Sequence, residues 1–168
     1  MKKIVFSLIL FGLTSQGFSQ IIKTEQLSEV VVTAVNYKYL NAITNEEEAL
    51  PVQMLERKAA AYNIKESELY SDEYEFYTVS FFIPNGKIVA VYNADGQIIR
   101  TIEKFKDIKL PETVAKAVVD RFPKWEVDSD VYRVSYTDEK GSNKTYKLKL
   151  KNGDERMKVK IDETGTFQ

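Results

Sequence analysis

A Leu-Pro pair, an Asn-Gly pair and a further glycine turn recur in the same order along this chain. Leu50-Pro51 leads to Asn85-Gly86 and then to Asp95-Gly96; Leu110-Pro111 leads to Asn152-Gly153 and then to Thr164-Gly165. Proline at a helix start pre-sets φ without removing a needed donor. Asn-Gly between two strand-like runs is the strongest short-range hairpin signal, because both central residues must take positive φ. The order therefore describes one helix-plus-hairpin unit written twice, over residues 50–109 and 110–168. At 168 residues, one domain or two small halves sharing a sheet is the natural reading.

Apolar spacing supports the two helices. Val52, Leu55, Ala59 and Tyr62 recur at helical intervals after Leu50-Pro51. Val114, Val118 and Phe122 do so after Leu110-Pro111, with Ala115 and Val119 beside them, until Pro123 stops the helix. The acidic triplet Glu46-Glu47-Glu48 before the first helix reads as solvated surface. Strands are expected over Asp72 to Ile83, Lys87 to Tyr92, Val131 to Thr137, Thr145 to Lys151 and Glu155 to Ile161. Tyr37 to Asn45, Thr101 to Lys109 and the polar run Asp138 to Lys144 read as connections.

Counting away from each Asn-Gly as a two-residue turn assigns the faces. In the second hairpin Leu148 falls opposite Met157 and Tyr146 opposite Val159, while Lys149 falls opposite Arg156 and Lys147 opposite Lys158. One face is apolar and the other basic, the alternation of a sheet buried on one side. In the first hairpin Val79, Phe81 and Ile83 face Tyr92, Ala90 and Ile88 on the core side. Phe82 then opposes Val89, and Ser80 opposes Val91, on the side that also carries Phe76 and Tyr74. The outer face is thus apolar in one unit and basic in the other. Charge is divided in the same sense: residues 45–75 hold nine acidic and three basic side chains, and residues 140–160 hold eight basic and two acidic.

The amino terminus reads as an export signal over residues 1–19. Lys2-Lys3 are followed by the apolar run Ile4 to Leu13 and by small and polar residues to Ser19, so the mature chain is expected to start at Gln20. That places the protein in the periplasm or outside the cell, with no stable membrane insertion after cleavage, since the apolar run is short for a span. Residues 20–49 are read as an N-terminal strand and a connection, the strand being Leu27 to Ala34 with its Val30-Val31-Val32 core. That strand resembles the short segment opening the plug of TonB-dependent outer-membrane receptors.

Composition removes several chemistries. The chain has no cysteine and no histidine, which excludes thiol nucleophiles, Cys/His zinc sites and Ser-His-Asp triads. A net charge of -1 gives no reason to expect nucleic acid as a partner.

Several short motifs, taken together and in order, resemble the PepSY-like family of exported proteins, related in fold to the β-lactamase-inhibitor proteins. They are Leu110-Pro111-Glu112, Arg121-Phe122-Pro123, the run Tyr146 to Leu150, Asn152-Gly153 and the turn Asp162 to Gly165, with Tyr92 to Gly96 matching in the first unit. The resemblance covers roughly residues 50–168, and Tyr62-Asn63-Ile64 departs from it where the first unit lacks the aromatic-Pro element. It implies an α+β fold of tandem helix-plus-antiparallel-sheet units, with the helices packed on one face of a sheet, and a non-catalytic binding or inhibitory role.

The functional expectation is an exported, non-enzymatic binding or inhibitor-like protein without cofactor, metal or catalytic residues. Its partner is expected to be another envelope or secreted protein. The expected contact residues are Phe76, Phe82, Val89 and Val91 on the apolar part of the outer face, and Lys147, Lys149, Arg156 and Lys158 on the basic part. One alternative is a small-ligand or cation-binding envelope module using Asp95, Asp154, Asp162 and Glu163 at turns. Another is a carboxylate-based hydrolase drawing on Glu66, Glu68, Asp72, Glu73 and Glu75.

Overall fold

A computed structural model describes residues 36–168. The expected signal peptide and the strand at Leu27 to Ala34 lie outside the described residues. The chain is α+β. A six-stranded antiparallel meander runs in sequence order, β1 (Phe76–Ile83), β2 (Gly86–Asn93), β3 (Ile98–Lys106), β4 (Glu126–Thr137), β5 (Gly141–Asn152) and β6 (Glu155–Asp162). Helices α1 (Tyr37–Ile43) and α2 (Leu50–Ala61) precede β1, and α3 (Glu112–Arg121) stands between β3 and β4.

One face of the sheet carries the core. Cross-strand partners Ala90, Thr101 and Tyr136 lie in line, as do Phe105, Tyr132, Tyr146 and Ile161. Against this face α2 presses Val52, Leu55 and Ala59, and α3 presses Val114 and Val118, all buried. Pro51 stands in the first turn of α2, as expected, and Pro111 at the N-cap of α3. Tyr132 and Tyr146 stack with ring centroids 4.5 Å apart, and Phe105 continues the row. Val119, expected beside the apolar stripe of α3, is exposed.

Both hairpins turn one residue away from the expected position, in opposite directions. In the first, Pro84 and Asn85 are the loop and Gly86 is a strand residue opposite Ile83. Proline fixes the φ of a first turn position, so the turn takes Pro84 in preference to a pair with two positive φ values. Gly86 has a packing reason instead: a Cβ there would fall 2.4 Å from Cδ1 of the Phe105 ring. In the second hairpin Gly153 and Asp154 form the loop, with Gly153 at φ +56° and Asn152 paired to Glu155. Glycine leading a two-residue loop suits the II′ geometry.

The pairings consequently differ by two residues from those expected, while every face is retained. Leu148 lies opposite Val159 rather than Met157, and Tyr146 opposite Ile161 rather than Val159. Lys149 opposes Lys158 rather than Arg156, and Lys147 opposes Lys160. On the first hairpin Phe82 opposes Lys87 rather than Val89, and Ser80 opposes Val89 rather than Val91. Val79, Phe81 and Tyr77 oppose Ala90, Ile88 and Tyr92.

Three expected connections are regular structure. Residues 37–43 form α1, residues 101–106 belong to β3, and β5 begins at Gly141. Each owes its place to inward polar groups. Tyr39 donates a hydrogen bond to Glu103 Oε1 at 2.9 Å, and Thr101 Oγ1 donates to the same oxygen at 2.7 Å. Lys144 Nζ donates to the Ile43 carbonyl at 2.5 Å and lies 3.6 Å from Glu48 Oε1 and 3.3 Å from Glu163. Glu48, expected to be solvated, is buried and accepts a hydrogen bond from Tyr132. Asn36 pins the start of α1, accepting from Ile98 N–H and donating to the Ala60 and Gly96 carbonyls.

Candidate functional site

The sheet face opposite the helices carries all eight expected contact residues. Phe76 and Phe82 are 59% and 64% exposed, Val89 and Val91 are partly exposed, and Lys147, Lys149, Arg156 and Lys158 are exposed. The two groups do not form one patch. The phenylalanines stand on β1 and the farthest basic residues on β6, five strand spacings away, or about 24 Å.

Between and around them the register assembles residues that sequence reasoning missed. Lys87, Lys104 and Arg133 stand side by side on β2, β3 and β4. Lys106, Val131, Lys147 and Lys160 form the next row, Ser129, Lys149 and Lys158 the next, and Lys151 with Arg156 the last. Among the described residues, Lys151 with Glu126 at 3.4 Å is the one ion pair these basic side chains make. Ile102, 52% exposed, continues the apolar part from Val89. The signal for Lys104, Lys106 and Ile102 was the alternation Thr101-Ile102-Glu103-Lys104-Phe105, which was hidden by a glutamate on the core side. Lys87 reaches over the Phe82 ring, its Nζ 5.1 Å from the centroid.

The turn carboxylates of the cation alternative are largely occupied by turn chemistry. Asp162 Oδ1 accepts from Thr164 N–H, Thr164 hydroxyl and Thr166 N–H, bonds that lower its pKa, the Thr164 hydroxyl contributing most. Asp95 lies 3.9 Å from Lys65 and Glu163 is paired with Lys144; Asp154 is an exposed turn residue. Among the described residues no group of three or more carboxylates is arranged to hold a metal ion. The acidic residues of the hydrolase alternative, Glu66, Glu68, Asp72, Glu73 and Glu75, are all exposed.

The strongly perturbed carboxylates are elsewhere. Glu56 on α2 and Glu103 on β3 are both 1% exposed and face one another in the core, where desolvation raises both pKa values. Hydrogen bonds from Thr101 and Tyr39 hold Glu103 lower, so the proton resides on Glu56. Glu48 is also raised by burial, against the opposing pull of Tyr132 and Lys144.

A cleft of about 820 Å³ lies below the C-terminal end of α3. The cross-strand row Asp130, Leu148 and Val159 lines it, together with Phe122, Phe167 and Arg121. Arg121 stacks on Phe167 at 4.6 Å. Burial, and then the neighbouring Asp107, push the Asp130 carboxyl up to about 6, and its Oδ1 has no hydrogen-bond partner.

Fold and face together define an α+β protein with an exposed basic sheet surface. No family model matches the sequence, and no curated protein matches it. A solved structure, that of a DUF2874 family protein from Bacteroides ovatus ATCC 8483, is similar to it at 17% identity and a TM-score of 0.33. The match covers 58% of this chain and 69% of that one.

Proposed function

We propose that this chain is an exported, non-enzymatic binding protein that holds an acidic envelope or secreted protein against the lysine-rich half of its outer sheet face. The observation that carries this reading is the ladder of like-charged pairs Lys147–Lys160, Lys149–Lys158 and Lys151–Arg156. Like charges directly opposite one another oppose sheet formation by roughly 0.2–1 kcal/mol per pair. Among the described residues Glu126 compensates one of them. A partner supplying carboxylates would relieve the rest, and would be steered to the surface by its field. Export rests on the leader-like first nineteen residues, and no helix among the described residues is long and apolar enough to cross a membrane.

The test is affinity capture from the native envelope fraction with wild type and with Lys147→Glu/Lys158→Glu. The proposal expects an acidic protein that is captured by the wild type, released by salt and lost with the folded variant. Recovery of the same proteins by both would refute it.

A second reading, a small-ligand module, draws on the cleft at Asp130, whose volume is in the range of ordinary ligand sites. A thermal-shift screen of small organic anions against wild type and Arg121→Gln checks it, since Arg121 and several lysines line the cleft; ligands that stabilise both chains equally would count against it.

A further inference from the structure

Among the described residues, strand β1 carries no charge, proline or bulge of the kind that ordinarily protects a sheet edge. Its residues, Phe-Tyr-Thr-Val-Ser-Phe-Phe-Ile, carry no charge and no proline. It is terminal in the sheet that the described residues form, with a row of its backbone N–H and C=O groups facing away from β2. Its pairing with β2 is regular, whereas irregularities fall at Val91/Tyr92 and Val127/Ser129 in pairs further inside the sheet. Uncharged, regular edges of this length template pairing with another strand, and proteins usually block them with lysine, proline or a bulge.

The opposite edge is blocked. β6 reads Glu-Arg-Met-Lys-Val-Lys-Ile-Asp, and the C-terminal residues lie along it. Phe167 bridges Ile161, and Gln168 N–H donates to the Lys160 carbonyl.

Two exposed rings mark what β1 fits. Phe76 and Phe82 both stand on the outer face, three residues either side of Val79. When two such strands meet antiparallel about a two-fold axis through Val79, Phe76 of each copy falls opposite Phe82 of the other. Thr78 then opposes Ser80, and Tyr77 opposes Phe81. Residues directly opposite in an antiparallel pair share a face, so the four rings gather on the outer side and no like charges oppose. A register through Ser80 would instead set Phe76 against Pro84, which has no N–H to donate.

We infer that β1 is a self-association edge at which two copies of this chain pair, joining their six-stranded sheets into one. The contact is isologous, and it closes at two copies because the other edge of each sheet is charged and covered. The joint takes up Phe76 and Phe82, while the lysine ladder on β5 and β6 lies roughly 20 Å away and stays free for an acidic partner. The two assignments use different strands, so failure of one leaves the other standing.

Sedimentation of the purified chain over a range of concentrations tests the inference. The expected mass is about twice that of one mature chain. Phe82→Lys and Phe76→Lys should each shift it to the monomer while the chain stays folded, since both side chains point away from the core. Because the chain has no cysteine of its own, Val79→Cys should form a disulfide-linked dimer on oxidation, and Arg100→Cys, exposed on β3, should not. A wild type that is monomeric throughout overturns the inference. So does a dimer that survives both lysine variants and gives no cross-link at position 79. A monomer whose outward β1 amides resist hydrogen exchange would assign the edge to another segment of the same chain, and overturns it equally.

Discussion

Leu148 and Lys149 are neighbours in sequence with opposite fates, one 1% exposed in the core and the other exposed on the lysine ladder. Leu148→Ala should cost about 2–5 kcal/mol in chemical denaturation, and Lys149→Ala little; equal costs would mean that the faces are reversed. Glu56 makes a second test. Its folded pKa is raised by burial, so the stability associated with it is intact below the ordinary glutamate range and declines as pH rises above it. Glu56→Gln keeps the shape and carries no proton to gain. The variant should therefore match the wild type near pH 4 and exceed it in stability at pH 8. A variant less stable than wild type at pH 8 would place the proton elsewhere. Glu56 was open to reading from sequence, since it follows Leu55 and stands three residues before Ala59, on the apolar stripe of α2. Glu48 and Lys144 were not. Each lies in a polar run, and only the tertiary structure brings them together beside Tyr132.

At the scale of elements, the hairpins separate what alternation can reveal from what it cannot. Shifting an antiparallel register by two residues keeps every side chain on its face. The core and outer faces were therefore legible in Leu148, Leu150, Lys147 and Lys149, while the partners were not. Turn chemistry decided the partners, through Pro84 in one hairpin and the φ of +56° at Gly153 in the other. Gly153→Ala should cost about 1–2 kcal/mol for the left-handed backbone, and Asn152→Ala, at a strand position, much less. The reverse order in thermal unfolding would restore the Asn-Gly turn. Gly86→Ala should be destabilising by about 1–3 kcal/mol, because its methyl group meets the Phe105 ring. Helix α1 escaped sequence reading because its seven residues have neither a capping side chain nor acidic and basic ends. It is held by Tyr39 and Asn36 reaching across to β3, contacts more than sixty residues away in sequence.

For the whole molecule, the two sheet faces divide the work. The helix-bearing face supplies stability through aromatic rows and buried polar pins, and the opposite face carries charge that is largely unpaired among the described residues. Sequence made the basic half of that face visible through Lys147, Lys149, Arg156 and Lys158. It underestimated the extent, because Lys87, Lys104, Lys106 and Arg133 join the ladder across strands from other stretches of the chain. The claim that this face holds an acidic protein is tested most directly by lysine-labelling mass spectrometry of the chain, free and in native envelope extract. The account predicts that Lys147, Lys149, Lys158 and Lys160 lose reactivity in the extract and regain it at high salt, while Lys58 on α2 and Lys116 on α3 label equally in both. Unchanged labelling of the ladder, or protection confined to the helix-bearing side, would contradict it.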